Sequence, residues 1–215
     1  MVDRQKLMKE RFQLLVPKLL KALEIRGYEA VFCENKEDAV KRILSFMPNG
    51  ASVTWGGSMT LDEIGIKEEL KKHDYVIIDR DTASSPQERV AMMKQAFTAD
   101  VYLSSVNAMT EDGEMVNIDA TGNRIAAIAY GPEMVILVVG MNKVCRDLET
   151  ARKRAHTFVA PNNSLRLGME TTCAKNGNCA DCQSPVSICS QIVEMRRNRI
   201  PGRIKVVMVG EELGL

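Results

Sequence analysis

Residues 99–143 read ADVYLSSVNAMTEDGEMVNIDATGNRIAAIAYGPEMVILVVGMNK, and the fold follows from how this stretch divides. A short apolar run, Val101-Tyr102-Leu103, empties into Ser104, Ser105, Asn107 and Thr110. A second, Met134 to Val139, empties into Gly140, Asn142 and Lys143. Between them lie a turn at Glu111-Asp112-Gly113, a short strand from Met115 to Ile118, and Gly122-Asn123-Arg124 at the head of an apolar helix. Polar and glycine residues at the carboxyl ends of buried strands are where open α/β sheets bind their ligands.

Upstream, Met8, Phe12, Leu15, Leu19 and Leu23 recur at helical spacing and Gly27 is a natural stop. Pro17 falls inside this pattern and predicts two helices or a kinked one. Tyr28 to Cys33 reads as a strand, and Asn35 as the cap of the next helix. Ala51 to Trp55 is a strand running directly into Gly56-Gly57-Ser58, with Thr60 placed to cap a short helix over 61–64. A second helix covers 66–72, and Tyr75 to Ile78 reads as another buried strand. Ser85-Pro86-Gln87-Glu88 is a capping box that opens a helix over 86–97. Downstream, 147–158 reads as a charged helix that breaks at Pro161-Asn162-Asn163. A cysteine loop, a helix over 186–196 and a last strand over 203–209 follow. Strands alternating with helices predict an α/β fold with a mainly parallel sheet flanked by helices. The boundary suggested is near residue 160, between an α/β core (1–160) and a cysteine-rich segment (161–215).

Bulk properties exclude several classes. The 215 residues carry 29 basic and 28 acidic side chains, a net charge of +1, which argues against nucleic acid as a partner. No apolar run approaches the roughly 20 residues of a membrane span, and the N-terminus reads as a polar helix rather than a signal peptide. A cytoplasmic location is expected. There, six cysteines read as metal ligands, reactive thiols or buried apolar residues before they read as disulfides.

Three features can carry chemistry. Gly56-Gly57-Ser58 with Thr60, between a strand and a helix, suits an anion through backbone N–H groups and hydroxyls, and equally suits a tight turn. It lacks the GxGxxG spacing of a dinucleotide site. In the central stretch, Ser105 and Asn107 can converge with Asn142 and Lys143 if their strands are neighbours, Lys143 then being a fixed cation for a carboxylate or phosphate. Asp119 and Arg124 flank a helix start, either as ligand groups or as a cap and its ion pair. Third, Cys173-x5-Cys179-x2-Cys182-x6-Cys189 places four thiols where they can wrap an iron–sulfur cluster or a structural zinc ion. The alternative is free thiols or a pair of disulfides. Cys33 reads as buried and apolar, Cys145 as the same or as a neighbour of the crevice, and His73 and His156 as surface residues.

The series Gly56-Gly57-Ser58-Met59-Thr60, SSVNAMTEDGEMVNIDATGNRIAAIAYGP, VVGMNK and the closing VVMVGEELG resembles the lactate-utilization (LUD) domain family, in its compact form with a C-terminal cysteine cluster. The resemblance implies a fold similar to glucosamine-6-phosphate deaminase, ribose-5-phosphate isomerase and CoA transferases. It implies work alongside iron–sulfur partner proteins, as an oxidoreductase component in oxidation of L-lactate to pyruvate. Gly56, Gly57, Ser58, Asn107, Gly122, Asn123, Arg124, Gly131, Asn142 and Lys143 match the family's recurring pattern. A CoA-transferase-like role would call on Glu111 as nucleophile. The rival readings are a sugar-phosphate or acyl-CoA enzyme using Glu111 or Asp119, with a zinc-held cysteine loop, and a non-catalytic assembly subunit.

Overall fold

The computed structural model describes residues 3–215. The first half holds α1 (Arg4–Ile25), β1 (Glu29–Cys33), α2 (Lys36–Phe46), β2 (Ser52–Trp55), α3 (Met59–Glu63), α4 (Ile66–Leu70), β3 (Val76–Ile78) and α5 (Pro86–Gln95). The central stretch supplies β4 (Val101–Ser104), β5 (Ala108–Thr110), β6 (Met115–Asp119), α6 (Asn123–Tyr130) and β7 (Met134–Gly140). After it come β8 (Val144–Cys145), α7 (Leu148–Arg154), α8 (Ala160–Arg166), α9 (Thr172–Asn176), β9 (Gln191–Met195) and β10 (Ile204–Val209).

Among the described residues, six strands form a parallel sheet in the order β1-β10-β7-β4-β2-β3. Its middle is β10 and β7, paired from Ile204 with Val135 to Val209 with Gly140. Alternation across the pleat sends Val135, Leu137 and Val139 to one face, with Phe12, Leu19 and Leu23 of α1. Ile136 and Val138 face the other side, with Ile43 of α2 and Leu61, Ile66 and Leu70 of the short helices. Both faces are thus covered, which is why these strands read as unbroken apolar runs. The chain is an α/β protein with a mainly parallel sheet flanked by helices.

From β2 the chain steps outward to β3, then returns past β2 to β4 and continues the other way through β7 to β10. The reversal leaves a crevice at the carboxyl ends of β2 and β4, the place where a doubly wound sheet binds ligands. A second sheet, β8-β5-β6-β9, is built from the hairpin between β4 and α6 and is capped by α7 and α8 over Ala108, Val116, Ile118, Ala151 and Ala155. It walls the crevice on one side.

Several local expectations are corrected. Of the two outcomes expected at Pro17, two helices or a kinked one, the first is excluded: one helix, α1, runs from Arg4 to Ile25 with Pro17 inside it. An interior proline costs about 3 kcal/mol, while burial of Phe12, Leu19 and Leu23 contributes roughly 2 kcal/mol each, so packing wins. Thr60 does not cap α3; Ser58 does, accepting from the Leu61 N–H, because the helix begins two residues earlier. β3 is an edge strand rather than a buried one, with Val76 60% exposed. Pro161 does not break the chain: α7 passes through a π-helical turn, Ala155–Val159, straight into α8. Pro161 forgoes one hydrogen bond of this continuous helix, and the wider π turn just before it makes room for its ring. The helix expected over 186–196 is instead β9, because β6 offers it a strand edge and pairs Asp119 with Gln191 through Met115 with Met195. No helix among the described residues is long and apolar enough to cross a membrane.

Candidate functional site

The crevice holds a cavity of about 300 Å³. Gly57, Ser58 and Thr60 line it from the end of β2, Ser104, Ser105 and Asn107 from the end of β4, and Lys143 from the end of β7. Close approach dictates the glycines. A Cβ at Gly56 would sit 2.9 Å from the Tyr102 hydroxyl and 3.2 Å from Cδ of Arg124, and one at Gly57 would sit 3.1 Å from the Arg80 guanidinium.

Lys143 is the deepest charge, only 3% exposed. Its Nζ donates to Thr60 Oγ1 at 2.8 Å and to Ser105 Oγ at 2.9 Å. No ion pair among the described residues involves Lys143. Burial pushes its pKa down to about 7, helped by the nearby Arg154 and Arg124 guanidinium groups, with Glu63 opposing them. Residues 213–214 pass directly over this group, and a Cβ at Gly214 would lie 3.3 Å from Nζ.

Arg124 forms the rear wall, and its donors are already taken. Nη1 donates to the Ser105 carbonyl and Asn117 Oδ1, Nη2 to Asn107 Oδ1 and the Ile118 carbonyl. Nε faces Asp119 Oδ2 at 3.8 Å. Asp119 in turn accepts from four backbone N–H groups: Thr121 and Gly122 on one oxygen, Arg124 and Ile125 on the other. Gly122 turns the chain into α6 at φ +82°, where a Cβ would strike the Gln191 amide. Asp119, Asn123 and Arg124 therefore line the cavity as one frame, while the Asn123 carboxamide oxygen accepts from Thr121 Oγ1.

Apart from the cysteines, five of the sequence-derived residues stand outside the cavity lining: Gly56 and Gly122, which shape the backbone beside it, and Glu111, Asn142 and Gly131. Glu111 sits at the β5–β6 turn, where Lys18 at 2.8 Å and Arg146 at 3.3 Å hold its carboxyl below the usual range. Asn142 clasps the last residues, accepting from the Leu213 N–H and donating to the Gly214 carbonyl. Gly131 ends α6, where a Cβ would lie 2.8 Å from the Ala127 carbonyl oxygen. Conversely, Arg80, Arg89 and Arg166 line the cavity and were not singled out in the sequence. Arg80 follows β3 by two residues, so the strand-end rule applied to that edge strand would have found it. Its Nε is buried without a hydrogen-bond partner. Arg89 is tied to Asp81 at 2.8 Å and to the Arg80 carbonyl. Five cationic side chains thus face two carboxylates, Asp81 and Asp119, and Asp119 is saturated by backbone donors. Arg80 Nε lies 4.0 Å from Asp81 Oδ1, and the remaining surplus of cations in a cavity of this size suits a small anion.

The cysteine loop abuts the same cavity: Ile188, next to Cys189, is part of its wall. All six cysteines are unpaired, with Cys33, Cys145 and Cys173 buried. Cys173, in α9, contacts Thr171 Oγ1 and Ser164 Oγ. Burial, aided by the nearby Cys179, Cys173 and Cys182 and opposed by a hydrogen bond with Ser187, pushes the Cys189 thiol up to about 11. Among the described residues no three His, Cys, Asp or Glu side chains are gathered at metal-binding separation. The donor set itself, Cys189 with three soft thiols within its electrostatic reach, fits a thiolate-ligated centre, whose positive charge would reverse that mutual repulsion.

Residues 16–209 match the family described as LUD domain. In structure the chain is similar to a DUF162 family protein from Deinococcus radiodurans, at a TM-score of 0.55 and 11% identity, covering 92% of this chain and 97% of that one. That likeness bears on the fold alone. Ribose 5-phosphate isomerase A from Methanocaldococcus jannaschii aligns over 53% of this chain and 55% of its own, with 14% identity and a TM-score of 0.34, too low to carry an argument. No curated protein matches the chain in sequence.

Proposed function

The chain belongs to the LUD domain family, and on that premise we propose that it binds a small carboxylate in the cationic crevice and serves as an iron–sulfur component of 2-hydroxy acid oxidation, L-lactate to pyruvate. The observation that carries this reading is adjacency: the cysteine loop supplies Ile188 to the wall of an anion-sized cavity. Arg80 holds the carboxylate, Lys143 lies beside it at the bottom of the crevice, and Ser58, Thr60 and Ser105 add hydroxyls around it. Asn107, Asn123 and Arg124 keep the floor rigid. Cys173, Cys179, Cys182 and Cys189 are the proposed cluster ligands, and when bound the cluster supplies a one-electron acceptor. Six unpaired thiols suit a reducing, cytoplasmic setting, and partner iron–sulfur proteins would pass the electrons on.

The test is iron, zinc and acid-labile sulfide analysis with a visible spectrum, on protein purified without oxygen and then titrated with L-lactate. Stoichiometric iron and sulfide, with a spectrum that lactate perturbs, is the expected result. One zinc per chain and no colour would overturn the redox role. The surplus of cations also suits a phosphate, so inorganic phosphate competing better than lactate would favour a sugar-phosphate or acyl-CoA ligand with a structural zinc loop.

A further inference from the structure

The placement of Lys143 points beyond anion binding. A lysine that served only as a counter-ion would be expected at the rim, ammonium outward, beside a carboxylate. Here Nζ is at the bottom of the crevice, with no carboxylate at ion-pair distance, and Arg124 and Arg154 are close enough to disfavour a third positive charge. Its hydrogen bonds among the described residues go to two hydroxyls, Thr60 and Ser105, each able to accept from an amine or donate to one. The negative charge of a ligand can be met by Arg80, which lines the cavity with its Nε 4.0 Å from Asp81 Oδ1. A cavity that holds a carboxylate with an arginine and presents a desolvated amine beside it has the layout of a nucleophilic lysine site.

We propose that Lys143 is a catalytic residue that forms an imine with the carbonyl carbon of a 2-oxo acid bound in this cavity. The proposal rests on the small-carboxylate reading of the crevice. Nζ, as the neutral amine, attacks C2; the new C–N bond pushes the carbonyl pair onto oxygen, which takes a proton. The carbinolamine then loses that oxygen as water while the nitrogen lone pair closes the C=N bond. One amine and one ketone give one imine and one water, with no oxidant or reductant consumed. Ser105 and Thr60, already bonded to Nζ, carry the protons between nitrogen and oxygen. The depressed pKa of Lys143 keeps a large neutral fraction available near pH 7. Such a site would hold the oxidised counterpart of a 2-hydroxy acid covalently and distinguish it from the alcohol, which has no carbonyl to attack.

The experiment uses the full chain with pyruvate or glyoxylate, cyanoborohydride to reduce any imine, and mass spectrometry of the digested protein. Calorimetric titration with pyruvate and with L-lactate runs alongside. The expected result is a single secondary-amine adduct on Lys143, absent with lactate and suppressed when lactate is added in excess. It should form faster as pH rises through 7 and be lost in Lys143→Met. Binding of pyruvate without an adduct, or adducts spread over surface lysines, would overturn the imine while leaving the carboxylate site standing. Absence of binding by either acid would overturn the carboxylate reading itself. Ser105→Ala should slow adduct formation without moving its site; since wild-type mapping already locates the adduct, a misfolded variant would not leave the matter open.

Discussion

The crevice and the cysteine loop stand side by side and are built in opposite ways. In the crevice nearly every polar group is pinned by another: Arg124 by four acceptors, Asp119 by four backbone donors, Lys143 by two hydroxyls. The loop has one short helix, α9, and otherwise irregular backbone, with Cys179, Cys182 and Cys189 only partly buried. A preorganised anion site can work as folded, whereas a thiol loop gains its order when something binds it. The difference shows which region the apo fold depends on.

The sharpest way to break this comparison is to remove one member from each region and measure urea unfolding. Arg124→Met strands acceptors on Ser105, Asn107, Asn117 and Ile118 and leaves Asp119 without its guanidinium partner, a loss of about 3–5 kcal/mol. At the other extreme, Cys182→Ser should change the metal-free protein by no more than about 0.5 kcal/mol, because the side chain is only partly buried and outside the hydrophobic cores. Equal destabilisation by the two would contradict the contrast.

Lys143 gives the next largest effect, read as a pH dependence. Its folded pKa of about 7 lies below that of an unfolded lysine, so between the two values the unfolded chain binds more protons. Stability therefore rises with pH across that window, by up to about 1.4 kcal/mol per pH unit. Below pH 7 both states are protonated and the penalty of the buried ammonium is fully present. Lys143→Met should lose this slope and match or exceed wild-type stability at pH 6, while losing the adduct with pyruvate. A wild-type slope surviving in the variant would place the titration elsewhere.

Glu111 separates the crevice from its surroundings with a smaller effect. Its carboxyl is held below the ordinary range by Lys18, so its contribution is present at neutral pH and lost as pH falls through its folded pKa. Because Lys18 is half-exposed, Glu111→Gln should cost under about 1 kcal/mol and leave lactate and pyruvate titrations unchanged. A loss of binding would instead draw the β5–β6 turn into the site and favour a glutamate-nucleophile reading.

What the sequence disclosed and what it hid follow the same division. The parallel sheet was legible because Val101-Tyr102-Leu103 and Met134 to Val139 are apolar on both faces, and the site because Gly56-Gly57 and Ser105 sit at strand ends. Asp119 was readable as a helix cap for the same local reason. Arg80 stood two residues beyond a strand, within reach of the same rule, whereas Arg89 escaped because only tertiary packing brings its helix, α5, to the cavity. Pro161, and Pro17 in its two-helix alternative, misled because a local breaker was weighed without the packing that overrides it. Residues 191–195 read as helical in isolation because the strand edge they join, β6, lies far upstream, Asp119 pairing with Gln191. Periodicity reports a segment's own faces and not its distant partner.

The measurement that tests the account most directly is the visible spectrum of anaerobically reconstituted protein titrated with L-lactate, wild type beside Arg80→Gln. The account predicts an iron–sulfur chromophore in both, perturbed saturably by lactate in the wild type and far less in the variant, because the crevice and the cysteine loop share a wall. A chromophore indifferent to lactate, or iron-free protein holding zinc, would contradict it.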